Sequence, residues 1–203
     1  MLKTFRESLC AGILITIGGT VFLSCENKTV GAVLFSVALL CICYKSYYLF
    51  TGKIGYIVEQ HKKQDFLNLA VGLFGNLIAT FLLGMLLRTV LPNIGERAAE
   101  MCSAKLAQFP LYTFIRGFFC GILMYLAVSI YKEKNSVLGI LFCVPVFILC
   151  GFEHSIADMF YLGASGIFSV KIILFTALVV AGNTFGAIVL PLLKGVHTND
   201  KQG

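Results

Sequence analysis

Six stretches without a single Asp, Glu, Lys or Arg follow one another along the chain, at residues 8–25, 29–44, 66–87, 117–131, 135–152 and 172–193. Most approach the ~20 residues that a helix needs to cross ~30 Å of hydrocarbon. Together they fill nearly all of the 203 residues, which leaves no room for a soluble domain. Hydrophobic residues at 58% and charged residues at 13% exclude an ordinary soluble globule on the same grounds. The first stretch lacks a small-residue cleavage site followed by a polar region, so it reads as a span and not as a secretion signal. The expectation is one all-α membrane domain over residues 1–203 with six transmembrane helices.

An even number of spans puts both termini on one side. Lys3, Arg6, Lys53, Lys62, Lys63, Lys132, Lys134, Lys194 and Lys201 fall on that side. Lys28, Arg88, Arg97, Lys105, Arg116 and Lys171 fall on the other, so the bias predicts cytoplasmic termini in the cell membrane. The net charge of +6 is explained by this topology and does not call for nucleic acid. Six of the eight cysteines lie in apolar runs, where Cys behaves as a small hydrophobe. No cysteine pattern has metal-ligand spacing, and neither a metal nor a cofactor is expected. Cys25 and Cys102, both assigned outside, remain a possible pair.

Short segments recur at an offset near 107 residues. Gly75-Asn76 reappears as Gly182-Asn183, and Cys10-Ala11-Gly12-Ile13-Leu14 as Cys120-Gly121-Ile122-Leu123. The chain therefore reads as two copies of three spans, about 1–90 and 105–195, and a three-span unit repeated in one membrane must be inverted. Such architectures break their middle helices around a central site. The second span gives way to Lys45-Ser46-Tyr47-Tyr48-Leu49-Phe50-Thr51-Gly52, and the fifth to Gly151-Phe152-Glu153-His154-Ser155-Ile156-Ala157-Asp158. Two acids and a histidine in so apolar a setting mark a functional site, because charge at mid-membrane costs several kcal/mol unless paired or hydrated. Thr51 and His154, 103 residues apart, are expected at corresponding positions in the two halves. Small residues four apart, as in Gly75/Ala79, Gly117/Gly121 and Gly182/Gly186, suit close helix packing.

With these motifs in order, the chain resembles the formate/nitrite transporter family. The segment 151–160 is similar to its fifth-helix signature, Leu49-Phe50-Thr51-Gly52 to its second-helix break, 116–128 to its fourth-helix motif and Gly182-Asn183 to its sixth. The resemblance implies a homopentamer of aquaporin-like protomers, each with its own pore for a small monovalent anion or its conjugate acid. It implies His154 as the central pore histidine, Thr51 beside it and Lys105 as the vestibule lysine. It implies Leu39, Phe50, Met124 and Phe147 as pore constrictions. Glu153, Asp158, Asn76 and Asn183 are expected to be scaffold at the half-helices, with Glu153 accepting hydrogen bonds from exposed amides and Asp158 doing likewise or pairing with Lys45. Three positions depart from the family pattern. Asp158 stands for Asn, Tyr48 for Glu, and Gly121 for an Asn, which removes a vestibule donor and points away from formate towards a substrate such as hydrosulfide. Both ends are short, and no extended N-terminal gating helix is expected.

A bare anion in a narrow apolar slit faces an idealised desolvation cost of ~20 kcal/mol, whereas its neutral acid faces only the few kcal/mol of an imperfectly satisfied polar group. The expected function is thus a pH-dependent channel for weak acids, in which Lys105 attracts the anion and His154 exchanges a proton. Two rivals are weaker. A serine protease reading of Gly163-Ala164-Ser165-Gly166 lacks a histidine base on a later helix, the only later one being His197 in the polar tail. An aquaporin-type channel for neutral solutes lacks any Asn-Pro-Ala tripeptide.

Overall fold

The computed structural model describes residues 1–58 and 61–195, so His197 and Lys201 lie outside the described residues. Helices follow one another in the order α1 (Leu2–Ser24), α2 (Lys28–Tyr44), α3 (Phe50–Lys53), α4 (Lys63–Val90), α5 (Pro92–Leu106), α6 (Pro110–Lys134), α7 (Leu138–Leu149), α8 (Ser155–Ser165) and α9 (Lys171–Lys194). A single 3₁₀ turn occupies Ile54–Val58, and no strand occurs among the described residues. Four helices, α1, α4, α6 and α9, are long and apolar enough to cross a membrane. The shortest of them, with 23 residues, rises about 35 Å.

The remaining two apolar stretches are interrupted as expected. Helices α2 and α7 have only 17 and 12 residues, and each resumes after a short irregular stretch as α3 or α8. Both stop with the same backbone device. Tyr47 N–H donates to Ile42 O at 3.0 Å, and Phe152 N–H to Phe147 O at 2.9 Å, a bond that reaches back over a left-handed residue. That residue is Ser46 (φ 56°) in the first break and Gly151 (φ 68°) in the second. Glycine suits the conformation, while Ser46 adopts it at a cost of roughly 1–2 kcal/mol.

The far side of each break is held by an asparagine from the last helix of the same half. Asn76 Oδ1 accepts from Phe50 N–H at 2.9 Å, and its Nδ2 donates to Tyr48 O at 2.9 Å and Ser8 O at 2.8 Å. Asn183 Oδ1 accepts from Ser155 N–H at 2.9 Å, and its Nδ2 donates to Glu153 O at 2.8 Å and Gly117 O at 2.9 Å. Where no water can reach, such backbone groups must find a partner within the protein. The two breaks therefore match at a constant offset of 105 residues, from Ser46/Gly151 to Phe50/Ser155. This corrects the expected register: His154 corresponds to Leu49, and Thr51 to Ile156.

The helices that carry these asparagines lie against α1 and α6 at very short range. A Cβ on Gly12 would stand 2.6 Å from Ala79 Cβ, and one on Gly186 would stand 1.9 Å from Phe118 O. Gly121 belongs to this seam. A Cβ there would lie 2.2 Å from Asn183 O and 2.9 Å from Ala187 N, so the position faces α9 and has no room for a side chain. Gly121 is a helix contact, and the inference of a missing vestibule donor, with its pointer towards hydrosulfide, is withdrawn.

Helix α5 was not foreseen. It starts with Pro92 at its first turn, which needs no N–H donor there. Its buried Ile94, Ala98 and Cys102 recur every four residues and pack towards α8. Lys105 stands one turn beyond Cys102 on that same buried face, which carries its ammonium inward.

Candidate functional site

His154 is the residue immediately before α8, and its extended backbone (φ −111°, ψ 109°) turns the ring back over the helix start. Its Nδ1 accepts a hydrogen bond from Ala157 N–H at 3.1 Å. A backbone amide can only donate, so Nδ1 carries no proton and the ring's proton sits on Nε2. That Nε2–H meets Thr51 Oγ1 at 2.9 Å, a contact buried between the two broken segments. The expected encounter of Thr51 with His154 is thus present, but it joins residues that occupy different places in their halves. Phe147 stacks on the imidazole, with ring centroids 5.5 Å apart and planes at 22°.

Two cavities approach this pair. One of about 110 Å³ is lined by Leu39, Leu49, Gly52, Lys53, Val128 and Lys132. The other, about 300 Å³, is lined by His154, Phe147, Lys105, Asp158, Tyr161 and Met101 among others. Buried Leu39, Met124 and Phe147 belong to one continuous apolar cluster with Phe35 and Val128. Phe50 does not join them. It packs with Ile54, Leu69, Tyr125 and Ala187, and its amide is the one held by Asn76.

Lys105 and Asp158, which line the larger cavity, belong to a buried charge cluster. Lys105 Nζ is paired with the carboxylates of both Glu153 and Asp158, the latter at 3.0 Å. Gln108 Nε2 adds a hydrogen bond to Glu153 Oε1 at 2.9 Å. These contacts revise three expectations. Glu153 does not accept from the amides of α8, because Asn183 and His154 take those of Ser155 and Ala157. Asp158 pairs with Lys105 and not with Lys45. Lys105 itself, expected as an open cation for anions, already faces two counter-charges and is 13% exposed. Gln108 was missed altogether, since a single amide in a polar connection carries no sequence signal that it will reach a residue 45 positions away.

The segment proposed for a serine nucleophile is a helix end. Ser165 Oγ donates to Leu162 O at 2.7 Å and accepts from Ile167 N–H at 3.1 Å, and Gly166 (φ 67°) closes α8. Ser165 caps the turn. Cys25 and Cys102 are both free thiols and do not pair.

Long apolar helices, two interrupted ones and a buried polar contact whose histidine borders a cavity define a multi-pass membrane transport protein. The sequence profile described as formate/nitrite transporter matches residues 1–194, and the chain belongs to that family. It is 29% identical over 179 residues to the uncharacterized transporter YwcJ of Bacillus subtilis (strain 168), covering 78% of this chain and 70% of that protein. Among solved structures, a pentameric formate channel with formate bound superimposes with a TM-score of 0.82 at 23% identity, covering 95% of both chains. An FNT family ion channel does so with a TM-score of 0.76 at 20% identity, over 95% of this chain and 87% of that one. These likenesses establish the fold. The family and its structural neighbours are transporters and channels, not enzymes.

Proposed function

We propose that this protein is a pH-dependent channel that passes small weak acids, with formate, nitrite and hydrosulfide as candidate substrates, as their neutral conjugate acids. The observation that carries the reading is the buried Thr51–His154 contact, whose histidine borders the larger cavity and has Phe147 stacked on its ring. With Nδ1 occupied by the Ala157 amide, His154 carries no charge, and a permeant that reaches its one Nε2–H must share it with Thr51. A neutral donor in an apolar slit discriminates against bare ions, whose desolvation there is not repaid. Proton exchange at His154 requires an imidazolium, which forms only by giving up the Ala157 bond. In this reading Leu39, Met124 and Phe147 narrow the passage, with Phe50 supporting it from the neighbouring cluster. Lys105, at the wall of the larger cavity, attracts the anion with its ammonium.

The two asparagine-held breaks support a single channel domain built from inverted halves, about 1–90 and 105–195. The pentameric formate channel, as structural neighbour, supports a homopentamer with one pore per protomer. The lysine bias supports a cytoplasmic membrane location with cytoplasmic termini, and the exposed apolar side chains of α1, α4 and α9 suit lipid contact.

The test is flux of formate, nitrite and hydrosulfide into proteoliposomes across a range of pH, for the native protein and His154→Phe. Uptake that rises as the acid fraction rises, and loses that profile in the variant, is expected. Equal uptake by both proteins at every pH removes His154 from the mechanism, and faster passage of glycerol than of any acid favours a neutral-solute channel.

A further inference from the structure

The Lys105 cluster contains one more carboxylate than it has cations. Glu153 and Asp158 both touch the single ammonium, and their side chains are 1% and 4% exposed. An unmatched charge so placed is far more costly than a proton taken up to remove it. The hydrogen bonds show which oxygen has room for that proton. Both oxygens of Glu153 already accept, Oε2 from Lys105 and Oε1 from Gln108. Asp158 Oδ1 faces Lys105 Nζ, whereas its buried Oδ2 receives no hydrogen bond from any described residue. Asp158 also lines the larger cavity together with His154.

We propose that the cluster holds one proton on Asp158 and that Asp158 is the acid that neutralises an anion entering this cavity. The inference rests on the weak-acid reading above and supplies the donor that the fixed tautomer of His154 does not. The Asp158 O–H bond breaks, its electron pair stays on the carboxylate, and the proton forms a new bond to the anion. The neutral acid then moves on towards Thr51 and His154. Hydronium from water in the cavity restores the Asp158 proton. The groups that surround Asp158 are Lys105 and Cys102 from α5, Cys120 from α6, Lys28 from α2 across the cavity, and Glu153, His154 and Tyr161 from its own segment.

The experiment pairs infrared spectroscopy with formate flux on protein reconstituted in liposomes. Native protein at pH 7 is expected to show a protonated-carboxyl stretch that shifts in heavy water. Asp158→Asn, which keeps an oxygen for Lys105, is expected to lose that band. Its formate flux at pH 7 should fall about tenfold, less than the ~10²–10⁴ of a dedicated general acid because hydronium still serves as a slow donor. Asp158→Glu should keep a shifted band and recover most of the flux. Absence of the band in native protein overturns the proposal even if neither variant folds. A band that survives Asp158→Asn, or a flux and pH profile unchanged in it, overturns it equally. Native protein that moves no weak acid above empty liposomes sinks the channel reading, and proton delivery with it, a result distinct from native flux that ignores Asp158.

Discussion

Thr51 Oγ1 lies 2.9 Å from His154 Nε2, and the two side chains come from different broken segments of the chain. His154 takes the place in its break that Leu49 takes in the other, so one half supplies the imidazole and the other supplies its partner from two residues further along. The contact is therefore asymmetric, with a single donor and a single acceptor at the junction of two similarly built segments.

Thr51→Val keeps the shape of the side chain and leaves the Nε2–H buried without an acceptor, which costs about 1–3 kcal/mol. Thermal unfolding in detergent should show that loss, and weak-acid flux should fall several-fold. Thr51→Ser retains the hydroxyl and is expected to keep both properties near native values. Equal behaviour of the Val and Ser variants would show that the hydroxyl does not hold the ring.

Asn76 and Asn183 each satisfy three backbone groups. Replacement of either by Ala orphans one buried N–H and one carbonyl in the break, and strips a second acceptor bond from a helical carbonyl, so each variant should lose about 2–4 kcal/mol of stability. The two losses should be similar, because the hydrogen bonds are the same in kind. A mild effect at one site alone would mean that water reaches that break.

Gly151 and Ser46 hold the same left-handed conformation, and nothing lies within 4 Å of a Cβ built on Gly151. Gly151→Ala should therefore cost about 1 kcal/mol, and Ser46→Gly should gain a comparable amount. Melting temperatures of the two variants, moving in opposite directions, check this.

Lys105→Met strips the cation from two carboxylates and should destabilise the protein by about 3–5 kcal/mol. Adding Glu153→Gln removes the stranded charge, so the double variant should recover a large part of that loss. Additive losses in this double-mutant cycle would show that Lys105 and Glu153 do not interact in the membrane.

Gly121→Asn installs the residue that the resemblance implies for this position, but its Cβ would meet Asn183 O at 2.2 Å. Forcing α6 from α9 is expected to cost about 1–3 kcal/mol or more, read as a lower melting temperature or poor expression. A stable variant with enhanced formate flux would restore the vestibule reading of this position.

The sequence displayed whatever depends on composition and local pattern. Uncharged runs located α1, α2, α4, α6, α7 and α9, and Glu153, His154 and Asp158 marked the second break because lipid makes such residues conspicuous. Helix α5 stayed hidden because its apolar residues recur every four positions among charges, which no search for continuous apolar runs detects. The pairing of Lys105 with Glu153 spans 48 residues and depends on that unseen helix. The register of the two breaks differs by two residues from the one that Thr51 and His154 suggest as conspicuous polar residues, because the backbone turns at Ser46 and Gly151 set the alignment.

The asparagines that secure the breaks also impose an order on biosynthesis. Asn76 follows Phe50 by 26 residues and Asn183 follows Ser155 by 28, so each interrupted segment leaves the ribosome well before the side chain that holds it. Until then the amide and carbonyl groups around α3 or α8 lack that partner in lipid, and the segment cannot settle at depth. Each half is therefore locked by its last helix. A nascent chain stalled between Ser155 and Asn183 would carry one set break and one still open to the translocation machinery.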